Sequence, residues 1–180
     1  MTANREQPMP MPDGILERLR RVRLLGLDVD GVLTDGRLYY GPDNVELKAF
    51  HAQDGSAMKR LMASGIPIAI VTGRTSEAVD RRAAELGVPY LFAGVADKTA
   101  AFEDLAARSA VAVRDMAYVG DDLGDLGVFE NVGFSFSVPN GHPEVIQRAD
   151  HVTSASGGFG AVREICDLLL AARATRHDRE

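Results

Sequence analysis

Leu24-Leu25-Gly26-Leu27-Asp28-Val29-Asp30-Gly31-Val32-Leu33-Thr34-Asp35-Gly36 decides the fold. It opens on a short apolar run and then switches abruptly to acid and glycine. A buried strand that empties into a tight polar loop has this form. The same pattern recurs at Ile66-Pro67-Ile68-Ala69-Ile70-Val71, at Met116-Ala117-Tyr118-Val119 and at 133–138. These runs are apolar at successive positions, so both faces are covered, as in a central parallel sheet. Residues 89–92 and His151-Val152 read as shorter strands.

The segments between read as helices. Residues 55–64 place Met58, Leu61 and Met62 on one face. Residues 76–86 begin at a Ser/Thr cap and carry charge outward. Residues 97–109 space Phe102, Leu105 and Ala106 helically, and 160–173 closes the fold. Strands that alternate with long helices imply right-handed crossovers. The predicted fold is α/β: a three-layer Rossmann-like sandwich with a central parallel sheet. One segment breaks the alternation. Residues 37–50 read as a protruding β-hairpin turning at Gly41-Pro42-Asp43-Asn44, with Tyr40, Val45, Leu47 and Phe50 as a large apolar set. Such a set suits a subunit interface, or packing on its own domain.

The chain has 180 residues, 46% hydrophobic and 26% charged. One domain at 14–173 is expected, between a proline-bearing disordered arm at 1–13 and a flexible tail at 174–180. The formal net charge of -6 argues against a general nucleic-acid binder. No run is long and apolar enough for a membrane helix, and residues 1–14 lack the apolar core of a secretory signal. The single cysteine, Cys166, excludes an intrachain disulfide and fits the cytoplasm. Its apolar neighbours place it on a buried helix face. The four histidines, His51, His142, His151 and His177, have no metal-ligand spacing. His142, before Pro143, starts a helix.

Ligands of open α/β sheets bind at the carboxyl ends of the strands. The strands here end in Asp28-Val29-Asp30-Gly31, Thr72-Gly73-Arg74 and Gly120-Asp121-Asp122 with Asp125 beyond, and Lys98 opens the helix after the strand at 89–92. Crowded carboxylates cannot all ionise without a cation, and oxygen-only ligands select a hard one such as Mg²⁺. With Mg²⁺ and Lys98 present, a phosphate dianion is welcome. Gly31 lets the chain turn, and nearby backbone N–H groups form a nest for phosphoryl oxygens. The expected chemistry is phosphoryl transfer. Asp28 is the nucleophile, Asp30 the general acid and then base, Thr72 a donor to the phosphoryl oxygens and Lys98 the neutralising cation. Each motif alone has a plainer reading as a cap or turn residue. Their conjunction in this order, each at a strand end, favours chemistry.

These motifs resemble the haloacid dehalogenase superfamily of phosphatases. The resemblance implies that Asp28, Asp121 and the Asp30 main-chain carbonyl hold Mg²⁺, with Asp122 and Asp125 helping to place the metal or its waters. Many members carry a cap domain after the first or second motif. Only 43 residues (29–71) separate Asp28 from Thr72, and only 25 (73–97) separate Thr72 from Lys98, so neither gap holds a cap. Within the capless branch the chain is most similar to the phosphatases of 3-deoxy-D-manno-octulosonate 8-phosphate (KDO 8-phosphate). The similarity is carried by Glu46-Leu47-Lys48-Ala49-Phe50, Asp54-Gly55, Thr72-Gly73-Arg74, 117–122 and Gly160-Ala161-Val162-Arg163-Glu164. It implies a homotetramer whose hairpins meet centrally, with each subunit acting as its neighbour's lid. It also implies substrate contacts from Gly31, Gly73 and Arg74, the last to a sugar-acid carboxylate. His51 either lines the substrate pocket or serves the hairpin structurally.

Two positions depart from the family pattern. Gln53 stands where a basic residue is common, and Phe159 stands where an arginine often separates two glycines. Both put the identity of the sugar acid in question more than the chemistry. Phosphatases of nine-carbon sugar-acid 9-phosphates share most of the motifs. A receiver-like signalling module also gathers acids, threonine and lysine around Mg²⁺. It takes phosphate on an Asp after a middle strand, where this chain has Thr72, and its acid pair comes early rather than after Lys98. A catalytically silent module would lack one of the motif residues, and none is missing.

Overall fold

The computed structural model describes residues 13–174. The predicted arm and tail therefore lie outside the described residues, except for Asp13 and Ala174 at helix ends. Six parallel strands form one sheet in the order β5-β4-β1-β6-β7-β8. They are β1 (Leu24–Leu27), β4 (Ile68–Thr72), β5 (Tyr90–Ala93), β6 (Met116–Val119), β7 (Phe134–Ser137) and β8 (His151–Val152). β2 (Tyr39–Tyr40) and β3 (Glu46–Leu47) make the separate antiparallel hairpin.

Successive residues of each inner strand enter opposite cores, as the two-residue period of a strand requires. Leu25, Leu27, Ile68, Ile70, Ala117 and Val119 face one layer. It is built from α1 (Asp13–Arg21), α2 (Ala52–Ala63), α3 (Glu77–Leu86) and α7 (Ala161–Ala174). Leu24, Ala69, Val71, Met116 and Tyr118 face the other, where α4 (Lys98–Ser109) and α5 (Leu126–Phe129) supply Phe102, Leu105 and Val128. The remaining helix, α6 (Pro143–Arg148), starts at His142, whose Nδ1 accepts from the Glu144 amide at 3.3 Å. Cys166 is fully buried in the first layer, and burial pushes its thiol up to about 12. It is therefore a packing residue, since the thiolate is the reactive form. No described helix is long and apolar enough to cross a membrane.

The strand order explains where a site must form. The chain runs from β1 outward to β4 and β5, then returns to β6 on the far side of β1. The loops after β1 and β6 therefore diverge and leave a crevice beyond the carboxyl end of β1.

Several details correct the sequence reading. α2 begins at Ala52, ahead of the predicted start at Gly55. α1 lies before the first predicted strand and packs Leu19 into the core. Phe50 leaves the hairpin's apolar set and packs against the core, while Tyr40, Val45 and Leu47 stay exposed with Leu38 and Tyr39. Ser76 occupies the N-cap of α3 without a capping side-chain bond, whereas Asp97 caps α4 by accepting from the Thr99 and Ala100 amides.

Candidate active site

β1, β4 and β6 are neighbours, so Asp28, Thr72 and Asp121 are delivered to one edge by backbone geometry alone. Asp28 is buried, and Lys98 Nζ lies 3.0 Å from its Oδ2. The same ammonium lies 2.6 Å from Asp125 Oδ1. Burial by itself would lower the Lys98 ammonium, but the charges of Asp28 and Asp125 outweigh it and hold it above its ordinary value. Asp28, Asp121 and Asp125 each offer an oxygen within 4.8 Å of the others'.

Asp125 is fully buried and wholly engaged. Its Oδ1 accepts from Lys98 and, at 2.7 Å, from the Tyr118 hydroxyl. Its Oδ2 accepts from the Asp121 amide at 2.9 Å and the Asp122 amide at 3.0 Å. It holds the loop that carries Asp121. Asp122 is exposed and caps the turn Leu123–Asp125. Asp121 Oδ1, by contrast, is buried with no hydrogen-bond partner. Such an orphaned carboxylate oxygen beside a second carboxylate fits a hard cation. Gly31, at φ +95°, lets the loop after β1 close on this group, because a Cβ there would overlap Asp121 Oδ2.

The electrostatics point the same way. Burial raises Asp28 to about 6, against the opposing pull of Lys98. Burial, then the charges of Asp28 and Asp125, raises Asp121 to about 8. In the metal-free protein the folded state thus keeps protons that the unfolded chain has already lost above its own pKa. Stability therefore falls as pH climbs from about 4 through about 8. Mg²⁺ needs both carboxylates ionised, so it competes with those protons. Saturating Mg²⁺ is expected to raise the thermal midpoint by about 5 °C or more at pH 8.5 and clearly less at pH 5.5. Differential scanning fluorimetry checks this, and equal shifts at both pH values would contradict it.

Thr72 is buried, and its Oγ1 accepts from the Arg74 amide at 3.3 Å. Its hydroxyl proton is thereby left to donate elsewhere. Gly73 and Arg74 follow at the exposed rim. Arg74 binds Glu46 Oε2 at 2.6 Å and lies 3.8 Å from Asp30 Oδ2. Lys48 closes the network. Its side chain is 1% exposed, contacts Asp30 Oδ1 and lies 3.2 Å from Glu46 Oε1. Asp30 is thus held at the mouth of the crevice between two cations.

The sequence reading assigns Lys48 and Glu46 no role beyond membership of a matching stretch. The signal for them is their Glu-x-Lys alternation on a hairpin strand, which puts both side chains on one face. His51 is placed elsewhere: it occupies the N-cap of α2 and lines a small cavity with Asp54 and Arg82. Among the described residues no hydrogen bond or ion pair joins it to Asp28, Asp30 or Lys98. Gln53 is exposed on α2. Phe159, 65% exposed, shares a cavity of about 320 Å³ with Asp35, Arg37 and Asn140, so one cation still lines that side.

The chain is similar to several known proteins. The family model of haloacid dehalogenase-like hydrolases matches residues 91–164. The 3-deoxy-D-manno-octulosonate 8-phosphate phosphatase KdsC of Escherichia coli K12 is 48% identical over 164 residues, covering 91% of this chain and 87% of that protein. The crystal structure of the corresponding phosphatase from Moraxella catarrhalis, in complex with magnesium, phosphate and KDO, superposes with a TM-score of 0.87 at 41% identity, covering 92% of this chain and 95% of that one. That from Yersinia pestis gives 0.88 at 42% identity, covering 92% and 89%. With coverage this complete, the chain belongs to the haloacid dehalogenase-like hydrolases and, within them, to the family of KDO 8-phosphate phosphatases.

Proposed function

We infer that this chain hydrolyses KDO 8-phosphate to KDO and inorganic phosphate, with Mg²⁺, through an aspartyl-phosphate on Asp28. The observation that carries this reading is the partnerless, buried Asp121 Oδ1 beside Asp28, in a cluster closed by Lys98. Asp28, Asp121 and the Asp30 carbonyl would hold Mg²⁺, which when bound offsets negative charge on the phosphoryl group.

A carboxylate oxygen of Asp28 attacks phosphorus, and the bond to the sugar oxygen breaks. Asp30 gives that oxygen its proton. Water then attacks the phosphoryl group, Asp30 takes a proton from it, and the bond to Asp28 breaks. Lys98 holds Asp28 oriented and neutralises the equatorial oxygens, and Thr72 donates to one of them. Phosphate release from an aryl phosphate, with Mg²⁺ and with excess EDTA, tests the metal requirement. Full activity in EDTA would overturn it.

Arg74 recognises the sugar-acid carboxylate. Its guanidinium stands at the rim with Glu46 as its resting partner, and a planar fork can take a second carboxylate. Arg74→Ala is expected to lower kcat/KM for KDO 8-phosphate about 10- to 100-fold, the worth of a charged hydrogen bond, and to change aryl phosphate turnover little. Equal losses on both substrates would remove Arg74 from recognition.

The exposed residues Leu38, Tyr39, Tyr40, Val45 and Leu47 support a hairpin-centred homotetramer in which a neighbouring subunit serves as lid. Light scattering at micromolar concentration tests this, and a monomer would contradict it. The buried free thiol of Cys166 supports a reducing cytoplasmic setting.

A further inference from the structure

The loop between β7 and α6 contributes no residue to the chemistry described above, yet it touches both halves of the site. Asn140 Nδ2 donates to the Gly31 carbonyl at 2.9 Å. Its Oδ1 accepts from the Gly157 amide at 2.7 Å. Just beyond it, the His142 amide donates to the Asp121 carbonyl at 2.7 Å. One short turn therefore grips the nucleophile loop, the loop of Asp121 and the glycine loop before α7.

The amide is oriented by its partners. A carbonyl on one side needs a donor, and an N–H on the other needs an acceptor, so the opposite flip would fail twice. The glycine loop seals the contact from behind. Gly158 donates to the Val32 carbonyl at 3.0 Å, and a Cβ at Gly157 would overlap the Gly31 carbonyl. Gly31 in turn abuts Asp121, where no side chain would fit. The carbonyl that Asn140 holds belongs to the peptide directly after the Asp30–Gly31 peptide. Pinning it leaves the Asp30 carbonyl only the two dihedrals of Gly31 to turn about.

We propose that Asn140 is a positioning residue that fixes Gly31 against Asp121 and so sets the spacing of the Asp28, Asp30 and Asp121 oxygens toward a divalent cation. This rests on the phosphatase reading of the same site. Both polar atoms of the Asn140 amide are engaged by Gly31 and Gly157. Losing it should loosen the arrangement of the acids while leaving Thr72, Arg74 and Lys98 in place toward the substrate.

The test uses the full chain with Asn140→Ala and Asn140→Leu, the latter filling similar space without polar atoms. Magnesium binding is measured by calorimetry without substrate, and kcat and KM with p-nitrophenyl phosphate. The expected result is Mg²⁺ affinity weakened about 10-fold, as when supporting partners of metal ligands are lost. A fall in kcat of about 10-fold or more should accompany it, with KM within about twofold. Should either variant fail to fold, Asn140→Ser, which keeps one donor and acceptor, carries the same measurements. Unchanged Mg²⁺ affinity and kcat, with only a lower thermal midpoint, would make Asn140 a structural residue and overturn the proposal. If the unsubstituted chain binds Mg²⁺ but releases no phosphate, the phosphatase reading fails instead, and the calorimetry still decides the role of Asn140.

Discussion

Asp28→Asn is expected to lower phosphate release by about four orders of magnitude or more, the scale on which losing a nucleophile acts. The amide is nearly the same shape, so packing is kept, but it has no anionic oxygen to bond phosphorus. It also removes one of the charges that burial disfavours here. The metal-free variant should therefore melt no lower than the unsubstituted protein above pH 6, while its gain from Mg²⁺ disappears. Phosphate assays and scanning fluorimetry on one preparation check both statements. Substantial turnover without deamidation of the introduced amide back to the acid would remove the nucleophile assignment.

Lys98→Met should damage both stability and rate. Lys98 is the only cation within ion-pair distance of Asp28 and Asp125 among the described residues. Asp125 is fully buried, and breaking a buried pair by removing one partner costs about 3–5 kcal/mol. Without the ammonium Asp28 loses the pull that opposes its burial and is pushed further up, so the folded state holds more protons and the loss grows as pH rises. Urea midpoints should thus separate more widely at pH 8 than at pH 5. The rate should fall about 10²- to 10³-fold, the scale for losing one group that stabilises transition-state charge. A variant as stable as the parent at pH 8 would contradict this account of the cluster.

The acids are legible in the sequence because each ends a strand. Apolar runs at β1, β4 and β6 announce themselves, and a parallel sheet sends their carboxyl ends to one edge. Asp28, Thr72, Lys98 and Asp121 then follow from local sequence. The pairing of Asp30 with Lys48, and of Glu46 with Arg74, is not legible. It arises only when the hairpin folds over the strand ends, and no periodicity encodes that placement. Phe50 resembles Tyr40 and Leu47 in composition, yet the early start of α2 turns it into the core. α1 gives little signal because its apolar stripe, Ile15, Leu16 and Leu19, is short and set among charges, and it is completed by packing on the core. Asn140 carries none as a lone loop asparagine; its meaning lies in two partners that are both distant in sequence.

Gln53 and Phe159 stand where basic residues are common in the family, so substrate choice tests the assignment most sharply. The deciding measurement is kcat/KM, in Mg²⁺, for KDO 8-phosphate against a nine-carbon sugar-acid 9-phosphate and glucose 6-phosphate. The account predicts that KDO 8-phosphate is preferred over both by at least about tenfold, the discrimination a single charged recognition contact supplies. Equal rates on glucose 6-phosphate would contradict sugar-acid recognition, and a preference for the nine-carbon phosphate would contradict the assigned substrate.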